Sequence, residues 1–189
     1  MYKKQIAVIL ILAFVALMLL AYLLYSRLGD GLTPEQLATQ SAVEETRPEA
    51  NPAPDFIAYD AQGNQVRLSD YFGKPIVLNF WASWCGPCKM EMPDFHEKYL
   101  ELGDEVQFLM VNVTTGRETQ ESAEGFIAEQ GYTFPVLFDL DSAAAAAYGA
   151  YSLPTTIFID AEGNGIARAT GAIDAETLQK GIDMITGKG

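Results

Sequence analysis

Asn79-Phe80-Trp81-Ala82-Ser83-Trp84-Cys85-Gly86-Pro87-Cys88-Lys89 contains both cysteines of a 189-residue chain. A C-x-x-C pair that follows a tryptophan and encloses Gly-Pro reads as a redox dithiol. The spacing lets two sulfurs meet across the first turn of a helix and cycle between dithiol and disulfide. Ile76 to Phe80, just upstream, is a short continuous apolar run, the pattern of a strand buried on both faces. Cys85 therefore stands at a strand-to-helix junction, where free backbone N–H groups and the positive end of the dipole favour a thiolate. Pro87 suits the first turn, where its missing N–H costs nothing. Cys88 lies one turn in and would resolve the mixed disulfide formed by Cys85.

Other uses of the pair fit less well. A zinc site needs about four ligands, and the chain offers two cysteines and one histidine, so no metal site is expected. Covalent haem attachment needs histidine after the second cysteine, where this chain has Lys89. A peroxide-reducing cysteine normally has Thr or Ser three residues before it, and Ala82 occupies that place. A static structural disulfide is the plain alternative.

Working outward, Phe56 to Tyr59 and Gln65 to Leu68 flank Asp60-Ala61-Gln62-Gly63-Asn64, a hairpin signal. Ser69 to Phe72 reads as a capped turn. Met92, Phe95, Tyr99 and Leu102 recur at helical spacing after the dithiol. A second buried strand is predicted over Val106 to Val113 and a helix over Glu118 to Gln130, with Phe126 and Ile127 on its apolar side. A strand over Phe134 to Phe138 and an alanine-rich helix over Ser142 to Tyr148 follow. Thr155 to Ile159 and Gly165 to Thr170 flank a second hairpin turn, and Asp174 to Ile185 closes the chain as an amphipathic helix. This order predicts an α/β domain with a mixed sheet covered on both faces.

Upstream of that domain, Ile6 to Leu24 is almost unbroken apolar sequence, preceded by Lys3 and Lys4 and followed by Arg27. A spanning helix needs about 20 apolar residues and a cleaved signal about 7–15. With no small-x-small cleavage pattern after it, the run over residues 1–28 reads as an uncleaved signal-anchor. The two lysines put the short tail in the cytoplasm, and the rest of the chain on the extracytoplasmic side of the membrane. Residues 29–54, rich in Pro, Glu, Ala and Thr, read as an extended, solvated tether. Residues 55–189 form one domain with room for a core. The net charge of −13 argues against nucleic-acid binding and against docking on anionic lipid.

The stretch from Asn79 to Lys89 resembles the active-site strand, loop and helix of thioredoxin-fold proteins. Ser152-Leu153-Pro154-Thr155-Thr156 resembles the same fold's cis-proline loop, which faces the dithiol. Cys88-Lys89-Met90-Glu91-Met92-Pro93 is similar to the C-x-x-E-x-P of the TlpA/ResA branch of membrane-anchored thiol-disulfide oxidoreductases. The helix and strand inserted between Thr114 and Phe138 resemble that branch too.

The resemblance implies a cis Pro154 lying with Leu153 against Cys85, the Leu153 backbone being able to pair with an extended substrate segment. Trp84, Gly86 and Pro87 would share in binding the substrate. Thioredoxins usually have a buried aspartate six residues before the first cysteine, whereas this chain has Asn79, which cannot titrate. Glu91, one turn beyond Cys88, is the natural substitute as proton carrier, a partly buried carboxylate having a raised pKa. Asn79 would only hydrogen-bond. Pro93 should kink the helix, and His96 reads as a surface or packing residue. No cofactor is implied beyond the redox-active Cys85–Cys88 disulfide.

Gly-Pro between the cysteines resembles thioredoxin itself, reducing at about −270 mV, which favours a protein-disulfide reductase. The family analogy suggests apocytochrome c or a methionine sulfoxide reductase as substrate, with electrons from a membrane thiol carrier of the CcdA/DsbD kind. A dithiol oxidase of the same fold and a non-catalytic tethered binding module are the alternatives.

Overall fold

Why the dithiol sits where it does follows from one strand. In the computed structural model, which describes residues 17–19 and 51–188, Ile76–Trp81 is buried along its whole length. It becomes β3 of a seven-stranded sheet whose other strands are β1 (Ile57–Tyr59), β2 (Gln65–Arg67), β4 (Gln107–Asn112), β5 (Val136–Phe138), β6 (Thr155–Ile159) and β7 (Gly165–Thr170). The strand order is β2-β1-β5-β4-β3-β6-β7. β3 runs parallel to β4 and antiparallel to β6, and β4 runs parallel to β5, so the sheet is mixed as expected. The helices are α1 (Gly86–Leu102), α2 (Gln120–Gln130), α3 (Ala143–Ala147) and α4 (Ala175–Thr186).

Strand alternation splits the core in two. Val77 and Trp81 join Cys88, Met92 and Phe95 of α1 and Leu178 and Ile182 of α4 on one side of the sheet. Ile76, Leu78 and Phe80 join Phe56, Ala144, Ala145 and Tyr148 on the other. By the same parity Asn79 shares the side of Val77 and Trp81, under α1, and it is fully buried there. Each fully buried large side chain in these layers contributes about 1.5–3 kcal/mol.

Both expected hairpins form. Asp60 Oδ1 accepts from the Gln62 and Asn64 N–H groups, and Asp160 Oδ1 accepts from that of Asn164. Gly63 and Gly163 take the left-handed conformation that closes the two turns, at φ 79° and 87°. α1 runs through Pro93, which lies inside the helix. α2 starts at Gln120 rather than at Glu118, because Thr119 is its N-cap, accepting from the Ser122 N–H.

The run expected to span a membrane lies outside the described residues apart from residues 17–19, which are helical. Among the described residues no helix is long and apolar enough to cross a membrane. The expected tether differs at its downstream end. Asn51 to Ala53 bond to the second hairpin turn, with Ala53 N–H donating to Gly163 O, Gly165 N–H donating to Asn51 O, and a bridge between Pro52 and Asn164. Ala53 is buried. Proline there removes one donor but leaves the neighbouring backbone groups free to pair, so Asn51 to Pro54 belong with the folded domain.

Candidate active site

Cys85 is the N-cap of α1, with extended backbone, and Gly86 and Pro87 open the helix. Cys85 and Cys88 are joined as a disulfide. Cys85 Sγ accepts a hydrogen bond from the Cys88 N–H at 3.2 Å, so the first sulfur rests on the free amides of the helix start. The Leu153–Pro154 bond is cis, as the resemblance implies. Leu153 packs half-buried against the core cluster that holds Cys85 and Cys88. Trp84 is 46% exposed beside the dithiol. With Leu153 and Tyr151 it lines a cleft of about 370 Å³, walled also by Val113, Ala145 and Ala150.

Behind the dithiol lies a buried polar cluster. Glu91 is 2% exposed, three residues beyond Cys88 and so on the same face of α1. Its Oε1 accepts from Asn79 Nδ2 at 2.8 Å and its Oε2 from the Ile173 N–H at 2.9 Å. Asn79 Nδ2 also donates to Thr156 Oγ1 at 3.0 Å. Asn79 Oδ1 meets no donor among the described residues. Burial pushes the Glu91 carboxyl up from its ordinary value of 4.5 to about 7, against the lowering effect of the Ile173 and Asn79 bonds and with the help of nearby Asp94. A carboxyl poised there can exchange a proton with a thiol near neutral pH.

The other expectations sort cleanly. His96 is a packing residue, its ring among those of Tyr99, Tyr132 and Phe134, with Nε2 accepting from the Thr133 N–H. Lys89 lies over the Phe126 ring. The sequence assigned no role in the site to three contributors. Ile173 offers only a backbone amide, and Thr156 lies on a strand far along the chain. Glu118 is buried and accepts from Ser83, just before the dithiol, and from Asn112 at the end of β4. The one available signal for Glu118 was its place immediately before a capping threonine, which frees it to turn away from the helix.

A strand-to-helix dithiol, a cis-proline loop beside it and a buried acid behind it define a thioredoxin-like thiol-disulfide oxidoreductase. The pattern of the AhpC/TSA family matches residues 50–166, and the chain belongs to that family. Within it the chain is similar to the thiol-disulfide oxidoreductase ResA of Geobacillus kaustophilus, 40% identical over 134 residues that cover 70% of this chain and 75% of the relative. It is similar also to ResA of Bacillus subtilis, 34% identical over 145 residues, 76% of this chain and 79% of the relative. Among solved structures it resembles the pneumococcal exposed lipoprotein thioredoxin of Streptococcus pneumoniae, with a TM-score of 0.60, 34% identity and coverage of 69% and 99% of the two chains. These matches bear out the resemblance to ResA, the α/β fold and the thiol-disulfide oxidoreductase class. Proteins carrying disulfides are the substrates such relatives imply.

Proposed function

We propose that the protein is a membrane-tethered, extracytoplasmic reductase of protein disulfides. Glu91 carries the reading: a buried carboxyl poised near neutrality on the Cys88 face equips the dithiol for cycling rather than for a static cross-link. In the reduced protein the Cys85 thiolate attacks one sulfur of a substrate disulfide. That bond breaks, a Cys85–substrate disulfide forms, and the substrate's other sulfur leaves as a thiolate. Cys88 then gives its proton to Glu91 and attacks Cys85 Sγ, releasing the second substrate sulfur. Two electrons pass to the substrate, which takes up the two protons, and the Cys85–Cys88 disulfide remains. No cofactor beyond that couple is required.

The direction rests on Gly86-Pro87, the thioredoxin pair between the cysteines. The location rests on the apolar run at residues 6–24 and its flanking lysines, and the likeness to an exposed lipoprotein agrees with it. Outside the cytoplasm the couple needs electrons delivered across the membrane. A thiol carrier of the CcdA/DsbD kind is the proposed donor, and apocytochrome c, in cytochrome c maturation, or a methionine sulfoxide reductase the proposed client.

Insulin reduction tests the activity, with Cys85→Ser as the inactive control. Turnover lost in that variant and a reduction potential near −270 mV are expected. A potential of about −120 mV, the range of strong oxidants, would make the protein a dithiol oxidase. Absence of turnover in the wild type would leave only a binding module.

A further inference from the structure

We propose that Arg117 and Glu118, on the segment between β4 and α2, are positioning residues that hold the Ser83–Trp84 loop in the shape that receives a protein disulfide. The inference rests on the disulfide-exchange reading above and assigns the loop's support to a part of the chain remote from the motif.

Glu118 is 4% exposed, and burying a carboxylate is costly unless donors surround it. Here three do, each at 2.8 Å: the Ser83 N–H and Asn112 Nδ2 on Oε1, and Ser83 Oγ on Oε2. Asn112 is itself oriented by Thr114 Oγ1, which donates to Asn112 Oδ1 at 2.9 Å, so its amide NH₂ is left facing Glu118. Trp81 and Asn112 are partners at the ends of parallel β3 and β4. Glu118 therefore ties together the carboxyl ends of the two central strands, where the loop to Cys85 begins. The far end of that loop is closed by the Cys85 N–H donating to Ala82 O at 3.1 Å. Between these two anchors only the Trp84 side chain is left to be fixed. Arg117, the residue before Glu118, lies with its guanidinium carbon 4.1 Å from the centroid of the indole.

Trp84 forms one wall of the cleft it shares with Tyr151 and Leu153, so its orientation sets that cleft's shape. A folded protein substrate must fit the wall, whereas a small disulfide reaches the sulfur with fewer contacts. Loss of either support should therefore be felt most by the large substrate, and in KM more than in kcat.

The test compares Glu118→Gln, Arg117→Leu and Arg117→Lys with wild type, using insulin and oxidised glutathione as substrates. Glutamine can keep the two N–H donors on its one oxygen and turn its NH₂ to Ser83 Oγ, but it removes the negative charge and with it the charge-assisted strength of all three bonds. Glu118→Gln and Arg117→Leu should each raise KM for insulin about tenfold, equivalent to ~1.4 kcal/mol. Kcat/KM for oxidised glutathione should fall by much less, and Arg117→Lys should restore most of the loss. Acrylamide quenching of tryptophan emission should rise in the two weakened variants, a change owed to Trp84 because Trp81 is fully buried. Parallel losses on both substrates, or no change on either, overturn the proposal. If Glu118→Gln does not fold, the exposed Arg117 pair decides alone. A wild type that reduces neither substrate overturns the disulfide-exchange reading, and the inference with it. Variants that match an active wild type overturn the inference only.

Discussion

Two buried glutamates flank the dithiol, and their surroundings differ in kind. Glu118 has three donors for its two oxygens, one of them on an asparagine that a threonine holds in place. Glu91 has two donors, and the amide beside it carries an oxygen with no donor among the described residues. Both clusters hang on β3 or the loop that leaves it, that of Glu91 on Asn79 within the strand and that of Glu118 on Ser83 just beyond it. A carboxyl group ringed by three donors is a brace, since moving its partners leaves buried groups unpaired. For Glu91, burial outweighs its two hydrogen bonds and moves the balance between charged and neutral forms to about pH 7. The same residue type thus braces a loop at Ser83 and, at Glu91, carries a pKa raised by burial.

Breaking the Glu91 side should cost most. Glu91→Gln keeps the shape but removes the titrating proton, and positioned acid–base groups are worth about 10²–10⁴-fold. Insulin reduction at pH 7 should fall about 10²-fold, and the inflection near pH 7 in the pH–rate profile should vanish. An unchanged profile would reduce Glu91 to a second brace.

The next effect is on stability. Because the folded-state pKa of Glu91 is raised, the native protein binds this proton more tightly than the unfolded chain does. The penalty is absent below about pH 4.5, grows between 4.5 and about 7, and is full above that. A rise from 4.5 to about 7 corresponds to at most about 3 kcal/mol. Urea unfolding of the oxidised protein should show wild type losing stability across that interval relative to Glu91→Gln. Equal pH dependence in the two proteins would contradict the assignment.

The smallest effect sharpens the other side. Thr119 caps α2 directly after Glu118, its Oγ1 accepting from the Ser122 N–H at 3.1 Å. Thr119→Ala should cost ~1 kcal/mol in urea unfolding and leave the pH 7 inflection where it is. A shifted inflection would mean that the two clusters are coupled.

Much of this was legible in advance because it is local. The buried run Ile76 to Phe80, the C-x-x-C that follows and the Gly-containing hairpin turns fix strand, loop and helix within a few residues of one another. Glu91 could be singled out by one helical turn from Cys88. Residues that join the site through long-range contacts left no such trace. Glu118 meets Ser83 across 35 residues and Ile173 meets Glu91 across 82. The docking of Asn51 to Ala53 on the hairpin turn at Gly163 was hidden by composition, since a proline-rich stretch reads as solvated until its backbone groups find partners.

The sequence by itself determined the chemistry: two cysteines at a strand-to-helix junction and an acid one turn away, the leucine-proline loop being placed beside them only by resemblance to a known family. Those features depend on spacing and backbone geometry, which neighbouring residues dictate. Only the tertiary structure decided that Glu91 has its pKa raised by burial and that Glu118 braces Ser83. That difference lies in burial and in the number of donors delivered by distant strands and loops, and both exist only once the sheet has closed.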